Sequence, residues 1–181
     1  ALARHCVGAI HCEGDGFARP YHALTAFRFK ALELGVEHRD NTAVRGVEKS
    51  DSCWTVVTQQ GDIQAPILLN CAGAWANQVA TWANEPVPLE AKAPMMMVTE
   101  RLPRFIEPVV GAASRKLSFK QMQNGTVLIG GAYLADHDMV KETTEIDFLK
   151  LSESSRTVLD LFPRMAGVRI VRTWAGLEAF M

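Results

Sequence analysis

Apolar and polar positions change their period several times along the chain. Between Pro20 and Leu34 the apolar side chains Leu24, Phe27, Ala31 and Leu34 recur at helical spacing, which predicts one helix. Pro20 suits a first helical position and Gly35 supplies the stop. Ahead of it, Val7 to Cys12 predicts a strand and Glu13-Gly14-Asp15-Gly16 a turn. Behind it, Val36 to Val44 predicts another strand. Arg45 to Lys49, Trp54 to Gln59 and Asp62 to Gln64 then form a small β-meander turned at Ser50-Asp51-Ser52 and Gln60-Gly61-Asp62. Trp54, Val56 and Thr58 alternate with Thr55, Val57 and Gln59, so neither face of that strand is wholly polar.

The stretch from Ile67 to Asn77 organises the first half. The apolar run Leu68 to Cys71 predicts a buried strand, small residues follow, and a helix from Trp75 to Trp82 sets Trp75, Val79 and Trp82 on one side. Ala72 and Gly73 remove bulk where the backbone turns, so a ligand can approach the main chain. A helix start there would aim free N–H groups and a positive dipole end at it. The same pattern also suits a strand-to-helix turn with nothing bound.

Pro86, Pro88 and Pro94 lead into a different region. Met95-Met96-Met97-Val98 predicts a buried strand in which methionine fills irregular space, with a ligand-facing role open to one of the three. Val109 to Ala113, Lys116 to Met122 and Thr126 to Gly130 continue as antiparallel-type strands, and Asn124-Gly125 marks a hairpin between the last two. The polar segment Leu134 to Thr144 predicts a loop, either a lid or simply solvated. Ile146 to Phe162 predicts a helix with Phe148, Leu151, Val158, Leu159 and Phe162 on its apolar face and Pro163 as its stop. Val168 to Thr173 is a last strand, entering the small-residue turn at Trp174-Ala175-Gly176-Leu177-Glu178.

Composition narrows the function. A net charge of −1 with no basic block argues against nucleic-acid binding. No apolar run approaches the ~20 residues of a membrane helix, and no signal-peptide pattern opens the chain. Cys6, Cys12, Cys53 and Cys71 form no CxxC pair, and Cys71 is expected to be buried; a reducing cytoplasm is the expected setting. His5, His11, His22, His38 and His137 have no metal-ligand spacing, so no metal site is expected. Gly14-Asp15-Gly16 after a strand suggests a dinucleotide fingerprint, but Arg19 occupies the third glycine position and would crowd the pyrophosphate. The chain begins with Ala1 and ends at Met181 just after a strand-like run, so a fragment or processed chain is expected.

The order of motifs is informative. Asp15-Gly16, a helix, Leu34-Gly35-Val36, Asn41-Thr42-Ala43-Val44, Asn70-Cys71-Ala72-Gly73-Ala74-Trp75, Val127-Leu128-Ile129-Gly130-Gly131 and Trp174-Ala175-Gly176-Leu177 resemble the FAD-dependent amine oxidases of the D-amino-acid oxidase superfamily. Glycine oxidase, the β subunit of sarcosine oxidase, and opine oxidase or cyanide synthase subunits are similar members. The resemblance covers essentially the whole chain. It implies an α+β (mixed α/β) fold, with an antiparallel-rich substrate sheet flanked by helices and part of a Rossmann-like FAD domain. The implied division is FAD-binding domain with the meander over 1–85, substrate domain over 86–167, and a return strand over 168–181. Such enzymes open with a GxGxxG unit and close with a Pro-Asp-Gly segment, so this chain resembles their central part.

By resemblance, Val44 would meet the adenine of FAD through its backbone groups. Cys71, Ala72, Gly73 and Trp75 would line the ribityl–pyrophosphate side. The strand Lys116 to Met122 would form part of the wall facing the isoalloxazine ring, with Lys116, Ser118 and Lys120 as substrate-binding candidates; solvated lysines are the plainer reading of the two cations. Glu178 stands where glycine oxidase-like members carry a carboxylate-clamping Arg, so it would repel an amino-acid carboxylate. Those enzymes also carry a Tyr near Ser118. Pro20 stands at the flavin-linking His of the sarcosine oxidase β subunits, which argues against covalent attachment there. The implied chemistry is oxidation of the C–N bond of a small amine or amino acid, with the cofactor carrying the hard step. No residue stands out as a catalytic base. A NAD-dependent Rossmann enzyme is disfavoured because no complete GxGxxG is present. A non-catalytic subunit derived from the same fold, working with a partner subunit or as a homo-oligomer, is the alternative.

Overall fold

Proline and glycine punctuate the first unit as the pattern requires. The computed structural model describes Ala3 and residues 6–181; His5, one of the histidines considered above, lies outside the described residues. Two compact units form, one of residues 17–90 and 179–181, the other of 1–16 and 91–178. In the former, α1 runs Pro20–Glu33 with Pro at its start. It ends where Gly35 takes a left-handed φ of 83° and Val36 N–H closes back on Ala31 C=O at 3.0 Å. None of its residues is buried: Tyr21, Leu24, Phe27 and Phe29 are all exposed.

The meander is antiparallel in the order β1 (Val44–Lys49), β2 (Trp54–Thr58), β3 (Ile63–Ala65). The strand expected from Val36 starts only at Val44. Asn41 adopts φ 55°, which turns the chain there and ends any extended run. A bulge lies between Val44 and Gly46. A 3-10 turn over Gly73–Trp75 leads into α2 (Ala76–Trp82), which packs on β1.

The other unit is built on β4 (Glu90–Thr99). Its burial alternates, with Ala93, Met95, Met97 and Thr99 buried and the residues between them half-buried. Around it lie β5 (Val110–Gly111), β6 (Ser118–Gln121), β7 (Val127–Gly130), β8 (Leu134–Asp138) and β9 (Thr143–Glu145) in the order β5-β6-β7-β4-β8-β9. Then follow α3 (Phe148–Leu161), a 3-10 turn at Pro163–Met165 and β10 (Ile170–Ala175), and β11 (Glu178–Phe180) begins at the last residue of this unit. β10 pairs antiparallel with β4. Asp147 caps α3, its Oδ1 accepting from the N–H groups of Leu149 and Lys150 at 3.0 Å each. Those bonds, that to Lys150 foremost, hold the Asp147 carboxyl below its usual range.

One face of the sheet and the inner face of α3 make the core: Met95, Met97, Phe119, Val127 and Ile129 against Leu151, Val158 and Phe162. Phe119 stacks on Phe162 with centroids 4.2 Å apart and meets Phe105 edge-on at 6.2 Å. Phe148 and Leu159 are exposed, so the buried stripe of α3 runs through Leu151, Ser154 and Val158 instead of the full set expected. Gln121 is 1 % exposed; its amide nitrogen donates to the carbonyls of Leu102, Pro103 and Gly125, and its oxygen accepts from Phe105 N–H at 2.9 Å.

Three further expectations change. Val7 to Cys12 forms no strand among the described residues, and Val7 and Ile10 are exposed. Leu68 to Cys71 is not a buried strand: Ile67 is 81 % and Leu69 82 % exposed, and Cys71 is exposed as well. An extended segment is held only where a neighbour takes its N–H and C=O groups, and neither segment belongs to a described sheet. Leu134 to Thr144 is a hairpin, not a loop, with Asp136, His137 and Asp138 opposite Glu145, Thr144 and Thr143. Asp138 closes its turn by accepting from Val140 and Lys141 N–H.

Candidate functional site

Asn70 builds the small-residue turn of the first unit. Its Oδ1 accepts from Ala72 N–H at 3.2 Å, and its Nδ2 donates to Ala76 C=O at 2.9 Å, which ties the turn to the first residue of α2. Trp75 N–H donates to Ala72 C=O at 3.0 Å. Gly73 sits at φ 55°, a left-handed conformation that favours glycine, and a Cβ there would meet nothing within 4 Å. Cys71 and Gly73 are exposed, Ala72 and Trp75 half-buried, and Ala74 is turned inward. The 3-10 turn stands between the small residues and α2, so the helix start expected at Trp75 comes one residue later. Val44 lies in the same unit, at the bulged first position of β1, the strand against which α2 packs. Cys71, Ala72 and Gly73 put only small side chains on this surface, although the Ala72 N–H and C=O are taken up inside the turn. The small side chains leave room for a large group such as FAD to approach the backbone.

The second site is the face of the β4 sheet opposite the core. Register fixes its members. Ser118 lies opposite Gly130 and Lys120 opposite Leu128; Leu128 lies opposite Val98, and Val98 opposite Arg172. Trp174 lies opposite Met96. The alternate residues Phe119, Gln121, Met95 and Met97 are buried on the other side. Gly130 lets Met96 lie flat across the sheet: a Cβ on Gly130 would stand 2.5 Å from Met96 Sδ. The result is an apolar floor of Met96, Val98 and Leu128 carrying a hydroxyl, an indole, an ammonium and a guanidinium. Met96 is thus the methionine of the run that faces away from the core.

Ser118 and Lys120 therefore come together on one strand, Ser118 exposed and Lys120 half-buried. Lys116 lies just before β6, with Nζ 5.3 Å from the centre of the Tyr133 ring. Glu178 is exposed at the start of β11. Sequence reasoning did not single out Arg172 or Trp174 as site residues. Arg172 lies over the Trp174 ring at 5.8 Å. At the end of β4, Arg169 grips Glu100 through two side-chain bonds and its own N–H, and the guanidinium holds the Glu100 carboxyl below its usual range. Among the described residues no helix is long and apolar enough to cross a membrane.

Comparison with known proteins agrees with this architecture. The family model described as DAO, FAD dependent oxidoreductase, matches residues 1–181. Mouse sarcosine dehydrogenase is 26 % identical over 187 residues, covering 96 % of this chain and 20 % of the relative. Hydrogen cyanide synthase subunit HcnC of Pseudomonas aeruginosa is 26 % identical over 181 residues, covering 98 % of this chain and 42 % of that protein. Among solved structures, L-proline dehydrogenase from P. horikoshii superposes with a TM-score of 0.81 at 27 % identity, over 90 % of this chain and 44 % of its own. Glycine oxidase from Geobacillus kaustophilus shares the fold, with a TM-score of 0.74 at 15 % identity over 86 % of this chain and 40 % of its own. The chain thus spans less than half the length of each of these proteins.

Proposed function

Because the chain belongs to the DAO family of FAD-dependent oxidoreductases, we propose that the whole protein oxidises the C–N bond of a small amine or amino acid, giving an imine that water converts to a carbonyl compound. The observation that supports this most is the sheet face just described, an apolar floor bearing donors for an anionic group, in a fold of the L-proline dehydrogenase type. FAD, when bound, supplies the acceptor for the hydride equivalent. In this reading Val44 offers backbone groups to the adenine, and Cys71, Ala72, Gly73 and Trp75 line the ribityl–pyrophosphate side. Residues 1–85 serve the cofactor and 86–167 the substrate, while 168–181 carry the chain from the substrate sheet back toward the cofactor-binding part.

The protein's own residues bind and orient. Lys120, with Ser118 on the same strand, takes the substrate carboxylate by charge-assisted hydrogen bonds. Lys116 adds positive potential beside them. Met96 and Leu128 exclude water from the carbon to be oxidised. Glu178 disfavours an amino-acid carboxylate at its own end. The 181-residue chain alone is inactive in this reading, since most phosphate-holding groups lie elsewhere in the protein. Two relatives are named as subunits, of hydrogen cyanide synthase and of sarcosine oxidase, which favours a partner subunit here as well.

The test is anaerobic addition of sarcosine, glycine, L-proline and iminodiacetate to the purified whole protein. Bleaching of its flavin absorbance by at least one amine is expected. Stoichiometric flavin that none of them reduces would overturn the reading. Flavin retained by the 181-residue chain after desalting would overturn the reading that most phosphate-holding groups lie elsewhere in the protein.

A further inference from the structure

The strand β10 changes face within five residues. Ile170 lies opposite Thr99, whereas Arg172 lies opposite Val98, so Val171 is an extra residue and the register shifts there. Ile170 and Thr99 line the same small cavity beneath α3, together with Val158 and Met165. Without the bulge Arg172 and Trp174 would share that core side, since residues two apart in a regular strand point the same way. The bulge instead sets both on the opposite face, across from Val98 and Met96. A guanidinium thus stands over the Trp174 ring, on the side of the apolar floor, where an unbulged strand would have turned it toward the core.

Lys120 and Arg172 are not neighbours on this face. Lys120, Leu128, Val98 and Arg172 follow one another across β6, β7, β4 and β10, so three strand spacings, about 14 Å, separate the two backbones. Between them lie only Leu128 and Val98 in that row. Both side chains are long enough to lean inward over this strip. Building on the amine-oxidation reading above, we propose that Arg172 is a specificity-determining residue that binds a second carboxylate, and that the substrate is an N-substituted amino acid with an acid group at each end. Lys120 and Ser118 take the carboxylate common to all amino acids. Arg172, steadied by stacking on Trp174, takes the distal one in its planar fork. The apolar strip between suits the carbon–nitrogen chain that joins them, and an acid at each end matches a cation at each end.

The experiment uses the whole flavoprotein and two inert ethers, oxydiacetate with two carboxylates and methoxyacetate with one. Their binding to wild type, Arg172→Met and Arg172→Lys is measured by calorimetry and by perturbation of the flavin spectrum. Arg172→Met keeps the apolar stem over Val98, so the fold of the exposed strand is retained. It is expected to weaken oxydiacetate by about 10- to 100-fold, the worth of a charge-assisted pair, and methoxyacetate by less than about 2-fold. Arg172→Lys is expected to recover part of the loss. Equal weakening of both ethers, no weakening of either, or a wild type that binds the diacid no tighter than the monoacid would each overturn the proposal. The amine-oxidation reading fails separately, on whether any amine bleaches the flavin, because neither ether can be oxidised at a C–N bond.

Discussion

Replacing Gln121 by Glu should convert a satisfied buried amide into a buried acid whose cost depends on pH. In the native protein the Gln121 nitrogen donates toward the carbonyls of Leu102, Pro103 and Gly125 at 3.2, 3.1 and 3.2 Å. A carboxylate can keep the Phe105 N–H, but its other oxygen then faces those carbonyls with no proton between. Burial and the carbonyl dipoles both oppose ionisation, so the folded pKa rises. A rise of about 3 pH units from the ordinary glutamate value corresponds to about 3.5 kcal/mol of lost stability at pH 7. The protonated acid still donates one hydrogen bond fewer than the amide, a further cost of about 1 to 2 kcal/mol. For an acid raised in the folded state, the native protein binds more protons than the unfolded one between the two pKa values, so stability falls as pH rises. The deficit relative to wild type should therefore be about 5 kcal/mol at pH 7 and about 1 to 2 kcal/mol near pH 4. Urea unfolding of wild type and variant at several pH values measures it. Gln121→Met, which has no titratable group, should show a deficit that does not vary with pH. A Gln121→Glu deficit that stays flat across the range, or falls below about 1 kcal/mol at pH 7, would refute the reasoning.

Two further outcomes follow from the same unit. Gly125→Ala should destabilise the β6–β7 hairpin by about 2 kcal/mol or more, because Gly125 sits at φ 89° and an added Cβ would stand 2.6 Å from the carbonyl oxygen of Leu102; the urea midpoint reads it, and an unchanged midpoint would contradict it. Asp147→Ala should uncap α3. The native Asp147 pKa is depressed, so its contribution is complete above the ordinary carboxylate range and is lost as pH falls through the folded value. The gap in helical circular dichroism midpoints between the two proteins should therefore close in acid, and a gap unchanged after protonation would count against the cap.

The sequence disclosed elements whose ends carry their own chemistry. Pro20 and Gly35 frame α1, and Pro163 stops α3, because caps and breakers act through the local backbone; the Asp147 cap was missed, since the apolar pattern starts that helix at Ile146. Asn124-Gly125 located the hairpin. Its geometry differs from a two-residue primed turn: Gly125 alone is left-handed, and its N–H donates to Met122 C=O at 2.9 Å. The apolar run Leu68 to Cys71 misled, since such a run says what a strand would bury and not whether a neighbour stands beside it. The hairpin of Asp136-His137-Asp138 was hidden for the opposite reason. Asp136 and His137 are exposed next to each other, so no alternation marks the strand, and only its pairing with Glu145 and Thr144 makes it one.

The candidate site was half legible for a related reason. Lys120 and Ser118 can be read from the strand pattern because Phe119 and Gln121 alternate with them and occupy the core. Arg172 cannot. Ile170-Val171-Arg172-Thr173-Trp174 read at period two sets Ile170, Arg172 and Trp174 on one face, and the extra residue that parts Ile170 from the other two is written only in the register against Val98 and Thr99. The methionine run makes the same point from the partner strand. Three identical side chains in sequence, Met95, Met96 and Met97, take two different roles: the outer two pack against α3, and Met96 crosses the bare Gly130 on the opposite face. Composition predicts that such residues fill space. Which space each one fills is decided by the neighbouring strand, so the residues that face away from the core on this sheet are set by pairing as much as by their own chemistry.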